Sequence, residues 1–303
     1  MSLQPMPILD RMLKLRSQCG VPEDDIEAAW GAVKVRADVP ADMYWQSSTE
    51  VWRIDHDYPP MRLPFPTMWI EWSQPQAWKS GRRDIQIGSS MIVGPQLGAL
   101  LVEVEIPDDR VMHYTAPGVQ PLKVVIPRSA HSAFQLIPYG MREGRLSSFP
   151  FSVLVPLNKE GMQFRQPMYC GNWAPNEEES AKLTIDFLQS RFSVALLAIG
   201  LMNCKNVTTT EFESTVRIGR KGHRRSPGVV YRTINVPGYP SGTGGGSGQA
   251  TDVMPLHRVR GHFKTFTPEA PLLGQHVGTY WWGWQVRGNK KNGATVTDYR
   301  VTA

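Results

Sequence analysis

Short aliphatic runs, each closed off by glycine, proline or serine, recur along the first half of this chain: GSSMIVG, GALLVEVEIP, PLKVVIP and FSVLVPL. Runs of this length and composition form strands, and the residues that bound them stop a helix from propagating through. The 27 glycines and 25 prolines among 303 residues extend the same constraint, favouring turns and short strands over a helical bundle. Around DHDYPPMRLPFPTMWIEW, closely spaced prolines end regular structure before a further strand, Thr67 to Trp72. A hydrophobic content of 41% is enough for a packed core.

Three helices interrupt this pattern. The first runs from about Ile8 to Leu15, and the second, PEDDIEAAWGAVKVR, opens on Pro22 with acids in its first turn, where the helix dipole favours them. The third, NEEESAKLTIDFLQSRFSVALLAIGLMNCKN, has Asn176 placed to cap it and Glu179 at the reciprocal capping position. Its glutamates are read as dipole partners rather than a metal cluster, and its second half, apolar all round, belongs in a core. Strand GVVYRTINV follows, then candidates at Met254–Phe266, His276–Gly288 and Val296–Val301. The expected fold is α+β: a mixed body with a mainly antiparallel sheet and a buried helix, then a small basic antiparallel β-module. The boundary falls between residues 1–205 and 206–303, and the two units are open to sharing one core because the buried helix ends there.

Charge divides at the same place. Residues 1–205 hold 20 Lys and Arg against 22 Asp and Glu; residues 206–303 hold 13 against 5. The whole net charge of +6 therefore sits in the last third, as in a polyanion-facing module, with a merely solubilising basic tail as the other reading. Three scattered cysteines, Cys19, Cys170 and Cys204, form no CxxC pair and fit a reducing compartment. The longest apolar run, VALLAIGLM, is too short for a membrane span of about 20 residues. A cytoplasmic protein with no membrane partner is expected.

The stretch HRVRGHFKTF carries the densest chemistry. Extended, it puts Arg258, Arg260, His262 and Lys264 on one face and Val259 and Phe263 on the other, with His257 and Gly261. A row of like charges calls for an anion opposite, and a phosphate backbone supplies one. Upstream, RIGRKGHRRSP adds Arg217, Arg220, Lys221, Arg224 and Arg225 as further phosphate contacts. In GTYWWGWQVRG, period two places Tyr280, Trp282 and Trp284 on one face and Trp281 with Arg287 on the other. Exposed rings beside arginines stack the bases of single strands, although rings of this kind also fill cores.

Metal-independent RNA cleavage needs a base, an acid and cations for the developing phosphorane charge. His262 with His276 from the neighbouring strand would move the protons, Arg258, Arg260 and Lys264 would stabilise the phosphate, and Tyr280 or Tyr299 would be a spare donor. His257 lies on the packing face, so His276 is the better partner. No phosphate-loop GxxxxGK[ST], GxSxG elbow or HExxH is present, and the histidines lack cysteine or carboxylate companions for zinc. No metal and no cofactor is expected. The tract GYPSGTGGGSGQATD reads as a flexible loop.

In RLPFPTMWIEW, LMNCKNV, GRKGHRRSPG and the pattern HRVRGHF…GQHVGTYWWGWQVRG…DYRV, the chain resembles an uncharacterised family carried by tailed phages and bacterial mobile elements. The C-terminal pattern is the specific part. The resemblance implies a phage or prophage setting and assigns no activity. A nucleic-acid-binding protein is therefore expected, with RNA or single-stranded DNA as partner and ribonuclease activity as an extension. The alternatives are a non-enzymatic protein that binds an acidic surface on a host or phage protein, or a virion component.

Overall fold

The computed structural model describes residues 8–15, 21–46, 59–73, 85–87, 91–114, 122–142, 145–149, 151–161, 168–171, 178–179, 182, 192–214, 229–237, 255–259, 261–283, 285–287 and 289–294. Asn176, the segment Arg217 to Arg225, the glycine tract, Arg260, Trp284 and the strand expected at Val296–Val301 lie outside them.

Helices α1 (Ile8–Leu15) and α2 (Glu23–Gly31) precede β1 (Val33–Arg36), α3 (Asp38–Gln46) and β2 (Thr67–Ser73). Then come β3 (Ile85–Ile87), β4 (Met91–Val104), β5 (Val111–Tyr114), β6 (Leu122–Val125), β7 (Ser132–Arg142) and β8 (Arg145–Ser148). Strands β9 (Phe151–Leu157) and β10 (Met168–Gly171) lead to α4 (Ser193–Met202), β11 (Thr208–Glu213) and β12 (Val230–Asn235). The last strands are β13 (Pro255–Val259), β14 (His262–Phe266), β15 (Gly278–Trp282), β16 (Gln285–Arg287) and β17 (Asn289–Ala294).

Among the described residues, ten strands form one sheet in the order β10-β9-β7-β4-β2-β1-β12-β11, with β3 added to β4 and β8 to β7. Strand β1 runs parallel to both neighbours, pairing Val35 with Ile70 of β2 and with Arg232 of β12. The other pairings in this sheet are antiparallel. Strand alternation serves two cores at once. Met68, Ile70 and Trp72 of β2 face the larger core with α3 and α4, while Trp69 faces the second core with α1 and α2. The fold is thus α+β with a mixed, mainly antiparallel sheet covered by helices on both faces. Ser193 to Leu201 of α4 are buried without exception, in keeping with an apolar surface all round. Among the described residues, no helix is long and apolar enough to cross a membrane.

Strands β11 and β12 complete the large sheet, and Trp281 of β15 lies in the larger core, 3% exposed. Two expected strands are each divided. Met254–Phe266 becomes β13, which pairs with β16 and β17, and β14, which pairs with β15. His276–Gly288 becomes β15 and β16. The physical reason lies at Gly261: a Cβ there would meet Trp281 Cζ2 at 2.5 Å, so the chain passes directly against the indole as it changes partner. Two expected strands are conversely one. GSSMIVG and GALLVEVEIP join in the 14-residue β4, with a register shift between Val93 and Leu97 where Gly94 and Pro95 sit.

Candidate nucleic-acid interface

The β14–β15 hairpin pairs His262 with Trp282, Phe263 with Trp281, Lys264 with Tyr280, Thr265 with Thr279 and Phe266 with Gly278. Residues directly opposite share a face, so the register sorts the hairpin into two sides. Phe263, Trp281 and Thr279 form the inner side. The Phe263 and Trp281 rings meet edge to face at 4.9 Å, and the Thr265 and Thr279 hydroxyls share a hydrogen bond of 3.0 Å. The turn after α4 fixes this side to the body. Asn206 Nδ2 donates to the Trp281 carbonyl at 2.8 Å, its Oδ1 accepts the Trp281 amide at 2.9 Å, and the Lys205 amide donates to the Thr279 carbonyl at 2.8 Å.

His262, Lys264, Phe266, Tyr280 and Trp282 share the outer side. His262 and Lys264 are exposed and the three rings are half-buried. Lys264 Nζ stands 5.0 Å from the Phe266 centroid and 5.4 Å from that of Trp282, and Tyr280 meets Phe266 edge to face at 5.9 Å. Exposed cation–π contacts of this kind are worth about 0.5–1 kcal/mol and hold the ammonium between the rings. The face therefore offers a positioned cation flanked by aromatic surface, with an imidazole beside it.

Of the expected site residues, the hairpin brings together His262, Lys264, Tyr280 and Trp282. It does not bring His276 to His262. His276 sits in the turn beyond the Phe266–Gly278 pair, its backbone bridged to Leu272, whereas His262 is at the opposite end. The four-residue strand step between those ends alone spans about 13 Å, too far for a shared proton-transfer site. Arg258 and Arg287 belong to the neighbouring β13–β16 pair, Arg258 opposite Val286 and Arg287 opposite His257. Arg260, Arg217, Arg220, Lys221, Arg224 and Arg225 lie outside the described residues. Arg258 does not share one strand with His262 and Lys264, because β13 and β14 belong to different sheets.

Sequence reasoning missed a buried ionic cluster on the second core. Arg36 donates to Glu71 at 2.5 Å and to Asp38 at 2.7 Å, and Asp38 accepts the Ser73 amide at 2.9 Å. Glu71 also accepts the Leu9 amide at 3.1 Å and Trp69 Nε1 at 2.8 Å, tying α1 to the sheet. Burial works against the Arg36 charge, but Glu71 and Asp38 outweigh it and hold its pKa above the usual value. Asp10 bonds Ser214 at 3.3 Å through Oδ1, while its buried Oδ2 has no partner. Burial first, and the neighbouring Glu71 second, push the Asp10 carboxyl up to about 6. The Tyr231 phenol is raised by the same burial and by both carboxylates. The available signal was a carboxylate set between two tryptophans in WIEW, a charge where the strand is otherwise apolar. Among the described residues, no group of three or more His, Cys, Asp or Glu is arranged to hold a metal ion.

Comparison with known protein families, curated proteins and solved structures finds no match to this chain.

Proposed function

We propose that the protein binds single-stranded nucleic acid, RNA or single-stranded DNA, on the outer side of the β14–β15 hairpin. The observation that carries this reading is the Lys264 ammonium held between the Phe266 and Trp282 rings on a hairpin whose other side is anchored in the core. A phosphate would meet Lys264 and His262, and bases would stack on the flanking rings. The balance of 13 basic to 5 acidic residues beyond position 205 supports a polyanionic partner. The separation of His262 from His276 favours binding over cleavage. The phage or mobile-element setting rests on the sequence resemblance alone.

The test is fluorescence anisotropy with labelled single-stranded RNA, single-stranded DNA and duplex, each across a salt series. Binding of the single strands should weaken linearly in log–log form as salt rises, through counterion release. Salt-insensitive binding, or a clear preference for duplex, would remove the reading. A pull-down of an acidic protein whose binding competes with RNA on the hairpin would favour a protein partner instead.

A further inference from the structure

Away from the hairpin, a cleft of about 410 Å³ opens among β4, β7, β9 and the segment preceding β2. Its polar lining is Arg62, Glu103, His131 and Ser132, set beside Leu63 and Phe134. Arg62, Glu103 and His131 are all exposed at this opening. A volume in the range of about 300–1,000 Å³ with a few convergent polar groups is what small-molecule sites share.

The arginine is built into place. The Met61 amide donates to the Gly161 carbonyl at 2.8 Å, and Asn203 Nδ2 donates to the carbonyls of Pro60 and Arg62 at 3.0 and 2.9 Å. The guanidinium itself donates to the Lys159 carbonyl. Its stem crosses Gly161, where φ is +82° and a Cβ would come within 2.9 Å of Arg62 Cγ and Nε. Glycine is required there twice over, by the backbone and by the arginine that lies on it. With its carbonyl held by Asn203, its guanidinium by the Lys159 carbonyl and its stem against Gly161, this exposed arginine has lost part of the freedom that ligand binding would otherwise remove.

The donor set points to an oxyanion. A guanidinium from the segment before β2, and an imidazole and a hydroxyl from the consecutive residues His131 and Ser132 at the start of β7, line the cleft, and three such donors suit the several oxygens of a phosphate better than the two of a carboxylate. Glu103 is acceptor-only, so a bare inorganic anion is disfavoured beside it and a ligand bringing hydroxyl donors is favoured. We propose that this cleft binds a hydroxylated phosphate monoester of the sugar-phosphate class, with phosphate on Arg62, His131 and Ser132 and hydroxyls on Glu103. Such chemistry belongs both to a free sugar phosphate and to the 5′-phosphorylated end of a nucleic acid.

Isothermal titration of the full chain with ribose 5-phosphate tests this. One saturable site is expected, weakened roughly tenfold or more by Arg62→Ala, as for loss of a charge-assisted hydrogen bond. Arg62→Lys should fall between, and Glu103→Gln should reduce the preference for ribose 5-phosphate over inorganic phosphate. Lys264→Ala should leave this binding unchanged, which separates it from the hairpin. Competition by 5′-phosphorylated but not 5′-hydroxyl RNA would assign the site to strand ends; no competition would assign it to free sugar phosphates. The proposal is overturned if neither ribose 5-phosphate nor a 5′-phosphate is bound, or if folded Arg62→Ala and Glu103→Gln bind as the parent does.

Discussion

Asn206 and Trp281 exchange two hydrogen bonds across 75 residues of sequence, the asparagine side chain donating to the tryptophan carbonyl and accepting its amide. One amide side chain thereby does for β15 what a further strand would do, and it seats the indole in the core. Asn206→Ala should therefore lower stability by about 1–3 kcal/mol, since it removes both part-buried hydrogen bonds to the Trp281 backbone. Urea unfolding followed by Trp fluorescence checks this. Asn206→Asp keeps the acceptor for the Trp281 amide but sets a carboxylate oxygen against the Trp281 carbonyl, so it should not restore the parent's stability.

On the outer side of the hairpin, Lys264→Ala and Trp282→Ala should weaken single-strand binding in different ways. Loss of Lys264 removes one phosphate contact and should flatten the salt slope by about one. Loss of Trp282 should cost about 1–3 kcal/mol of stacking with the slope nearly unchanged. Anisotropy titrations at several salt concentrations distinguish the two, and identical salt slopes in both variants would count against Lys264 as a phosphate contact.

At the strand break, Gly261→Ala would place a Cβ 2.5 Å from Trp281 Cζ2 and 2.9 Å from Cη2. The indole is buried and has little room to yield, so overpacking should cost about 1–3 kcal/mol. The melting temperature should drop and nucleic-acid binding should weaken with it, because the same ring carries the hairpin. An unchanged melting temperature would show that the indole moves freely.

The Asp10 carboxyl has its pKa raised from 3.8 to about 6 in the folded protein, by burial and then by Glu71. Its folded value lies above its unfolded one, so its contribution to stability is full below about pH 4 and is lost as pH rises through about 6. The difference corresponds to at most roughly 3 kcal/mol. Asp10→Asn should flatten the stability profile between those limits and raise stability near pH 7 relative to the parent. Denaturant midpoints measured at pH 4.5 and 7.5 on both proteins test it.

Alternation made the hairpin legible: Lys264 outward and Phe263 inward follow from period two alone, as do Tyr280 and Trp282 against Trp281. Strand β9 and helix α4 were equally plain, because each is apolar but for one serine and is buried almost throughout. Strand β7 was not, since Pro138 and Gly140 look like breakers and are tolerated only through its pairings with β4, β8 and β9. The break after β13 depends on Trp281, 20 residues beyond Gly261, and no local pattern encodes it. The Arg36–Glu71–Asp10 cluster and the Arg62 cleft join residues from distant segments, and charged residues read singly look like surface.

Strand β1 lies between β2 and β12, and its partner Thr233 follows Arg36 by about 200 residues. On a ribosome adding about 5–20 residues per second, the β12 side of β1 therefore stays unpaired for roughly 10–40 s. Throughout that interval the nascent chain presents an open strand edge to other nascent chains, a template for mispairing. Chains truncated before β12 should accordingly sediment as aggregates where the full chain stays in solution.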